Sequence, residues 1–158
     1  PGERVAVIGV SLGAASLVLA RSQPAPSAVV LEAMYPTIEE AVAARLRLHL
    51  GQHLQAWAAP LAPLLLWQLP LTAGIAPERL RPIEALPALQ APVLLVAGAL
   101  DRHTPLAQTR RLYAAARAPK ALWVVDGAAH VDLHEFDRTA YEATVAAFLE
   151  RHLRPAAQ

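Results

Sequence analysis

Three residues in this chain carry side chains that together could transfer an acyl group: Ser11, Asp101 and His130. A serine hydroxyl is a weak nucleophile until a neighbouring base takes its proton. Histidine is the natural base, because it titrates near neutrality. A carboxylate on the other ring nitrogen fixes the tautomer and stabilises the imidazolium that forms. Each of the three follows an apolar run suited to a buried strand: Val5–Val10 before Ser11, Val93–Ala97 before Asp101, and Leu122–Val125 before His130. In open parallel sheets, functional groups gather beyond the carboxyl ends of the strands. The chain order Ser, Asp, His is one of the orders in which such a triad occurs.

The most specific local signal is Gly9-Val10-Ser11-Leu12-Gly13, framed by Arg4-Val5-Ala6-Val7-Ile8 and by the small and aliphatic run Ala14-Ala15-Ser16. Strand, sharp turn and helix in that order make a nucleophile elbow, with the serine at the tip in strained backbone geometry. Gly9 and Gly13 are expected to face each other across the turn, where a Cβ would crowd. Ser11 then lies at a helix N-terminus, where free N–H groups and the dipole favour a developing anion. The N–H of Leu12 is the natural oxyanion donor. Taken alone, the motif is also what a glycine-rich strand-to-helix turn with an ordinary serine looks like. The flanking strand and helix weigh toward chemistry.

The other two residues have plain readings too. Asp101, in Gly98-Ala99-Leu100-Asp101-Arg102-His103-Thr104-Pro105, could be a turn or cap residue, and His130 a loop histidine packed on the sheet. Glu32, at the end of the second strand, and Asp132 are rival acids. Asp132 is the weaker, being so near His130 in sequence. His49-x-x-x-His53 has one-face helical spacing but lacks the glutamate of a zinc protease helix. His130-x-Asp132-x-His134 has no evident further ligand. No metal and no cofactor is expected.

The elements that must hold these residues alternate regularly. A helix runs from Leu12 to about Arg21 and is broken at Gln23-Pro24-Ala25-Pro26-Ser27. Ala28–Leu31 is a buried strand, followed by a loop through Glu32–Pro36. Thr37-Ile38-Glu39-Glu40 reads as a capping box opening a helix with Ile38, Val42 and Leu46 near one face. From about Leu54 to Pro77 there is no formal charge, and Trp57, Leu64–Trp67, Leu69 and Leu71 dominate. Pro60, Pro63 and Pro70 argue against one spanning helix. Short helices forming a lid or cap, roughly 37–80, and simple core packing are the two readings left, and no transmembrane span is expected. Glu78–Leu89 returns the chain to the strand Pro92–Gly98. Pro105 to about Ala118 is a helix, Ala121–Val125 a strand, and Phe136 to about Leu153 the closing helix. The fold class is α/β, a parallel sheet with flanking helices.

At 158 residues the chain is long enough for one domain with a real core. A 55% hydrophobic composition excludes a disordered chain, and a net charge of +1 without a basic stripe excludes a nucleic-acid surface. There is no cysteine, so a thiol nucleophile is excluded. The chain opens on Pro1-Gly2 and reaches its first strand at once, which reads as a cut from a longer protein. No targeting segment is visible, which favours the cytoplasm.

At Val7–Gly13, Pro92–Pro105 and Gly127-Ala128-Ala129-His130 the sequence resembles the α/β-hydrolase superfamily, in its serine aminopeptidase-like and esterase-like branch. The resemblance covers essentially the whole chain. It implies Ser11 as nucleophile, Asp101 as acid and His130 as base, with Leu12 N–H in the oxyanion hole. The family places further strands, and a loop giving a second oxyanion donor, before the elbow strand. The chain therefore looks like a carboxyl-terminal half with the N-terminal strands missing, exposing a sheet edge. Loss of one such donor costs about 10²–10³ in rate. The implied function is a serine hydrolase cleaving an ester, thioester or amide of a small-molecule or peptide acyl substrate, expected to be apolar. A non-catalytic relative or truncated scaffold serving interaction is the alternative.

Overall fold

The structure, a computed structural model, describes residues 4–50, 52–117 and 119–154. Four strands, β1 (Ala6–Val10), β2 (Ala28–Glu32), β3 (Val93–Gly98) and β4 (Lys120–Val125), form one parallel sheet in the order β1-β2-β3-β4. β2 and β3 are buried along their whole length, as continuous apolar runs between two layers must be. Alternate side chains divide between the layers. Val29, Leu31, Val93 and Leu95 join one cluster with Ala14, Ala15 and Val18 of α1 (Leu12–Ala20) and with Leu112 of α6 (Leu106–Ala115). Ala28, Val30, Leu94 and Val96 join the other with Val145 and Phe148 of α8 (Arg138–Leu153).

Between β2 and β3 the chain makes α2 (Ile38–His49), α3 (Ala58–Leu66), α4 (Leu69–Ala73) and α5 (Pro82–Ala85), with 3₁₀ turns between them. Thr37 caps α2 by accepting from Glu40 N–H at 3.2 Å, but the Glu40 carboxylate takes an ion pair with Arg111. Only half of the expected capping box therefore forms. α2 also buries Ala41, Ala43 and Ala44, while Ile38, Val42 and Leu46 are half-buried. Small side chains let α2 approach its neighbours closely, which the apolar periodicity alone does not weigh. The charge-free stretch forms α3 and α4, with Pro60 and Pro63 accommodated inside α3 and Pro70 in the first turn of α4, and Trp57, Leu64, Trp67 and Leu71 are exposed. Among the described residues no helix is long and apolar enough to cross a membrane.

Two other boundaries differ from the sequence reading. α6 ends at Ala115, not near Ala118, with Ala116 already extended ahead of Pro119. Ala116 N–H closes the last turn on Leu112 C=O at 2.9 Å. The closing helix is two pieces, α7 (Leu133–Phe136) and α8, because the Asp137 carboxylate caps α8 at Ala140 N–H, 3.0 Å away. Phe136 belongs to the earlier turn.

The loops after β3 and β4 are laced together. Ala99 N–H donates to Val125 C=O at 2.9 Å, and Leu100 N–H to Ala128 C=O at 2.8 Å. Gly98 makes that approach possible, since a Cβ there would lie 2.5 Å from the Ala128 carbonyl oxygen and 2.6 Å from that of Ala129. Gly98→Ala must push these backbones apart. We expect it to destabilise the longest natural chain containing this segment by about 1–3 kcal/mol, measured by urea denaturation.

Candidate active site

Ser11 stands at the tip between β1 and α1 with φ 49° and ψ −111°. This is backbone that residues with a Cβ enter only when their surroundings insist. The surroundings do insist. Ser11 N–H donates to Glu32 C=O at 2.8 Å, extending the β1–β2 ladder, and Ser11 C=O accepts from Ala15 N–H at 3.2 Å, starting α1. At Gly9 the turn is as tight as expected, for a Cβ would come within 2.7 Å of Ala14 Cα. Gly13 differs. It is an exposed position in the first turn of α1, and a Cβ there would meet nothing within 4 Å. Leu12 is the first residue of α1, so its N–H has no intrahelical partner and sits at the positive end of the helix.

Asp101 follows β3 and its side chain is fully buried. Oδ1 accepts from the N–H groups of His103 at 2.7 Å and Thr104 at 2.9 Å. Oδ2 accepts from the Thr104 hydroxyl at 2.6 Å and lies 2.7 Å from His130 Nδ1. Burial alone would push the Asp101 pKa up. The hydrogen bonds from His130 and Thr104 outweigh it and hold the carboxyl below its ordinary value. Asp101 is therefore an ionised acceptor, which places a proton on His130 Nδ1 and leaves Nε2 as the ring's basic nitrogen. One Asp101 oxygen holds a local turn and the other holds the histidine.

His130 is about one quarter exposed. Its loop reaches from β4 to a cavity of about 370 Å³ that it lines with Val10, the residue before Ser11, and with Glu32, Ala33, His134 and Tyr141. The structure thus brings Asp101 and His130 into contact and sets Ser11 at the same edge of the sheet. Among the described residues no hydrogen bond joins Ser11 to His130.

The rival acids are engaged elsewhere. Glu32 is buried and accepts a hydrogen bond from the Tyr141 hydroxyl of α8. Burial pushes its pKa up, and the Tyr141 hydrogen bond only partly offsets this. Tyr141 is itself raised by burial and by the Glu32 carboxyl. Asp132 caps α7, accepting from Glu135 N–H at 3.0 Å. His134 pairs with Glu142 at 3.0 Å, not with His130 or Asp132. The side chain of His53 lies outside the described residues, and among those described no three potential metal ligands cluster.

The sequence reading passed over three contributors: Thr104 as a ligand of the acid, Tyr141 as the partner of Glu32, and His103, whose ring lies against His130. Asp-x-x-Thr is a local signal for the first, because an aspartate before a turn commonly accepts from the next residues. The other two pairs form only in the folded chain.

No protein-family model matches the chain. It is 33% identical over 146 residues to an uncharacterized protein of Mycobacterium tuberculosis (Rv2307c), covering 92% of this chain and 44% of that one. It is 28% identical over 149 residues to an uncharacterized protein of Bacillus subtilis (YqkD), covering 92% and 48%. The chain spans about half the length of these relatives. Among solved structures, an esterase of Pyrococcus furiosus superposes with a TM-score of 0.69 at 20% identity, covering 97% of this chain and 55% of that one. An α/β hydrolase of a Penicillium species superposes with a TM-score of 0.62 at 16% identity, covering 94% and 63%.

Thr104→Val removes one donor from a buried carboxylate. We expect a loss of about 1–3 kcal/mol at pH 7 by urea denaturation. Asp101 has a depressed folded pKa, so its charge stabilises the fold above the unfolded value, about 4, and this is lost as pH falls through the folded value. The deficit of the variant should therefore narrow as the pH falls below about 4.

Proposed function

We propose that this chain, which has the α/β-hydrolase fold, carries the Ser11–His130–Asp101 triad of a serine hydrolase. The observation that carries this reading is the 2.7 Å contact between His130 Nδ1 and the buried, ionised Asp101. A carboxylate on one ring nitrogen orients the histidine and leaves the other to take a proton, which is what activating a hydroxyl requires.

In the proposed reaction Ser11 Oγ attacks the substrate's acyl carbon while His130 Nε2 takes the hydroxyl proton. The oxyanion of the tetrahedral intermediate is met by the N–H of Leu12. As the intermediate collapses, the bond to the leaving group breaks and His130 returns the proton to it, leaving Ser11 acylated. Water then attacks the ester, gives a proton to His130, and releases the acid as Ser11 Oγ is reprotonated. Asp101 stays ionised throughout.

Residues 37–80 are proposed as a lid or cap. The exposed Trp57, Leu64, Trp67 and Leu71 on its charge-free part support an apolar small-molecule or peptide acyl substrate, bound as ester, thioester or amide. One observation supports the other reading, a scaffold that binds a partner. β1 is an edge of the sheet with Ile8 and Val10 exposed.

The two readings separate on a fluorophosphonate probe applied to the longest natural chain containing this segment. Intact mass should show a single adduct that Ser11→Ala abolishes without changing the melting temperature. A folded protein that takes no adduct sinks the hydrolase reading and leaves the interaction reading in front.

A further inference from the structure

His103 lies two residues after the acid and is bound to it, its own N–H donating to Asp101 Oδ1 at 2.7 Å. Its ring lies against that of His130, with centroids 4.8 Å apart and planes inclined by 44°. This is contact distance for an aromatic pair. His103 Nδ1 is buried and has no partner among the described residues. A polar atom left so is unfavourable, and an aliphatic residue would fill the space without it.

The proposed chemistry makes particular demands on this ring. A single hydrogen bond to Asp101 fixes one nitrogen of His130 but leaves the ring free to rock about the N···O line. A ring in tilted contact with it restricts that freedom. The neighbour must also be uncharged, because His130 becomes an imidazolium during turnover and a second cation beside it would oppose that step. Four groups act on His103: His130 and Asp101 from the two loops, and Arg45 and His49 from α2. Burial pushes its pKa down, His130, Arg45 and His49 add to this, and Asp101 opposes it, so the ring is held neutral.

We propose that His103 is a positioning residue for this reaction, an aromatic ring whose tilted contact seats the His130 ring on Asp101. The inference rests on the triad reading above and adds to it a fourth residue, one that touches neither the substrate nor the transferred proton.

The test uses the longest natural chain, with His103→Phe, which keeps a neutral face, and His103→Leu and His103→Ala, which remove it. The signature read is the far-downfield proton resonance of His130 Nδ1–H in its bond to Asp101, beside the rate and pH profile of fluorophosphonate labelling. The unaltered chain and His103→Phe should both show the resonance and share the acid limb of the profile. In His103→Leu and His103→Ala the resonance should be lost to exchange, with labelling slowed by about 10- to 100-fold, as a misplaced catalytic group requires. If the alanine variant does not fold, the leucine variant, closer in bulk, decides alone. Unchanged resonance and rate in a folded leucine variant would overturn the seat while leaving the triad standing. A phenylalanine variant as impaired as the leucine one would overturn it equally. Absence of the resonance from the unaltered chain would remove the His130–Asp101 pair itself, a distinct failure that takes the seat with it.

Discussion

The site depends on how a single buried charge is satisfied. A carboxylate taken out of water costs several kcal/mol unless donors surround it. Asp101 has four donors, and no one segment can supply them all. Two are N–H groups that point at it only because residues 101–104 turn tightly, and a third is the hydroxyl at the end of that turn. The fourth comes from His130, beyond the next strand. The acid loop and the base loop must therefore meet, and they meet through the Ala99 and Leu100 hydrogen bonds that Gly98 permits. Ionisation of Asp101, the tautomer of His130 and the contact between the loops are one constraint.

The sheet turns that constraint into a site. Parallel strands deliver all their following loops to one edge, and β2, in the interior, links the parts that lie there. Glu32 illustrates this. Its carbonyl takes the N–H of Ser11 and so anchors the elbow. Its carboxyl takes the Tyr141 hydroxyl and so anchors α8. The side chain shares the face of Ala28 and Val30, which pack on α8, as alternation along a strand requires. Glu32 lies at the right edge of the sheet for a triad acid, but its partner makes it a structural residue.

Much of this was legible because it is local. The elbow, the buried runs of β2 and β3 and the alternation of strand and helix are written in a few consecutive residues each. So is the turn at Asp101, whose ligands His103 and Thr104 are its near neighbours. The shortfalls have physical causes. Apolar periodicity ranks Ile38 and Val42 above alanine, whereas α2 buries Ala41, Ala43 and Ala44 because helices pack closely on small residues. The closing helix expected from Phe136 runs through Asp137, whose carboxylate instead starts a new helix there. The spacing predicts a steric need at both Gly9 and Gly13, and only Gly9 meets one. The meetings of Tyr141 with Glu32 and of His103 with His130 join segments that are far apart in the chain, and no spacing encodes them.

Where local rules are broken also bears on what the chain is for. Ser11 and Ala33 have φ values of 49° and 46°, unfavourable for residues with a Cβ, and Ala33 lines the same cavity as His130. Asp101 is a buried charge, and His103 keeps a buried nitrogen without a partner among the described residues. The strained backbone and the unpartnered nitrogen lower stability, while Asp101 stabilises the fold only because its donors outweigh the cost of burial, and all four stand at the carboxyl edge of the sheet. A scaffold that bound a partner along β1 would need only the exposed edge of that strand. It would have no use for a strained serine at the same sheet edge as a buried histidine–aspartate pair, and hydrophobic packing would serve it better at each position. Arg21, with φ 48°, and the buried Gln108 and Thr109 oxygens without a partner among the described residues lie elsewhere, so it is the strained Ser11 at the same sheet edge as the His130–Asp101 pair, not strain as such, that favours the proposed triad over a binding edge.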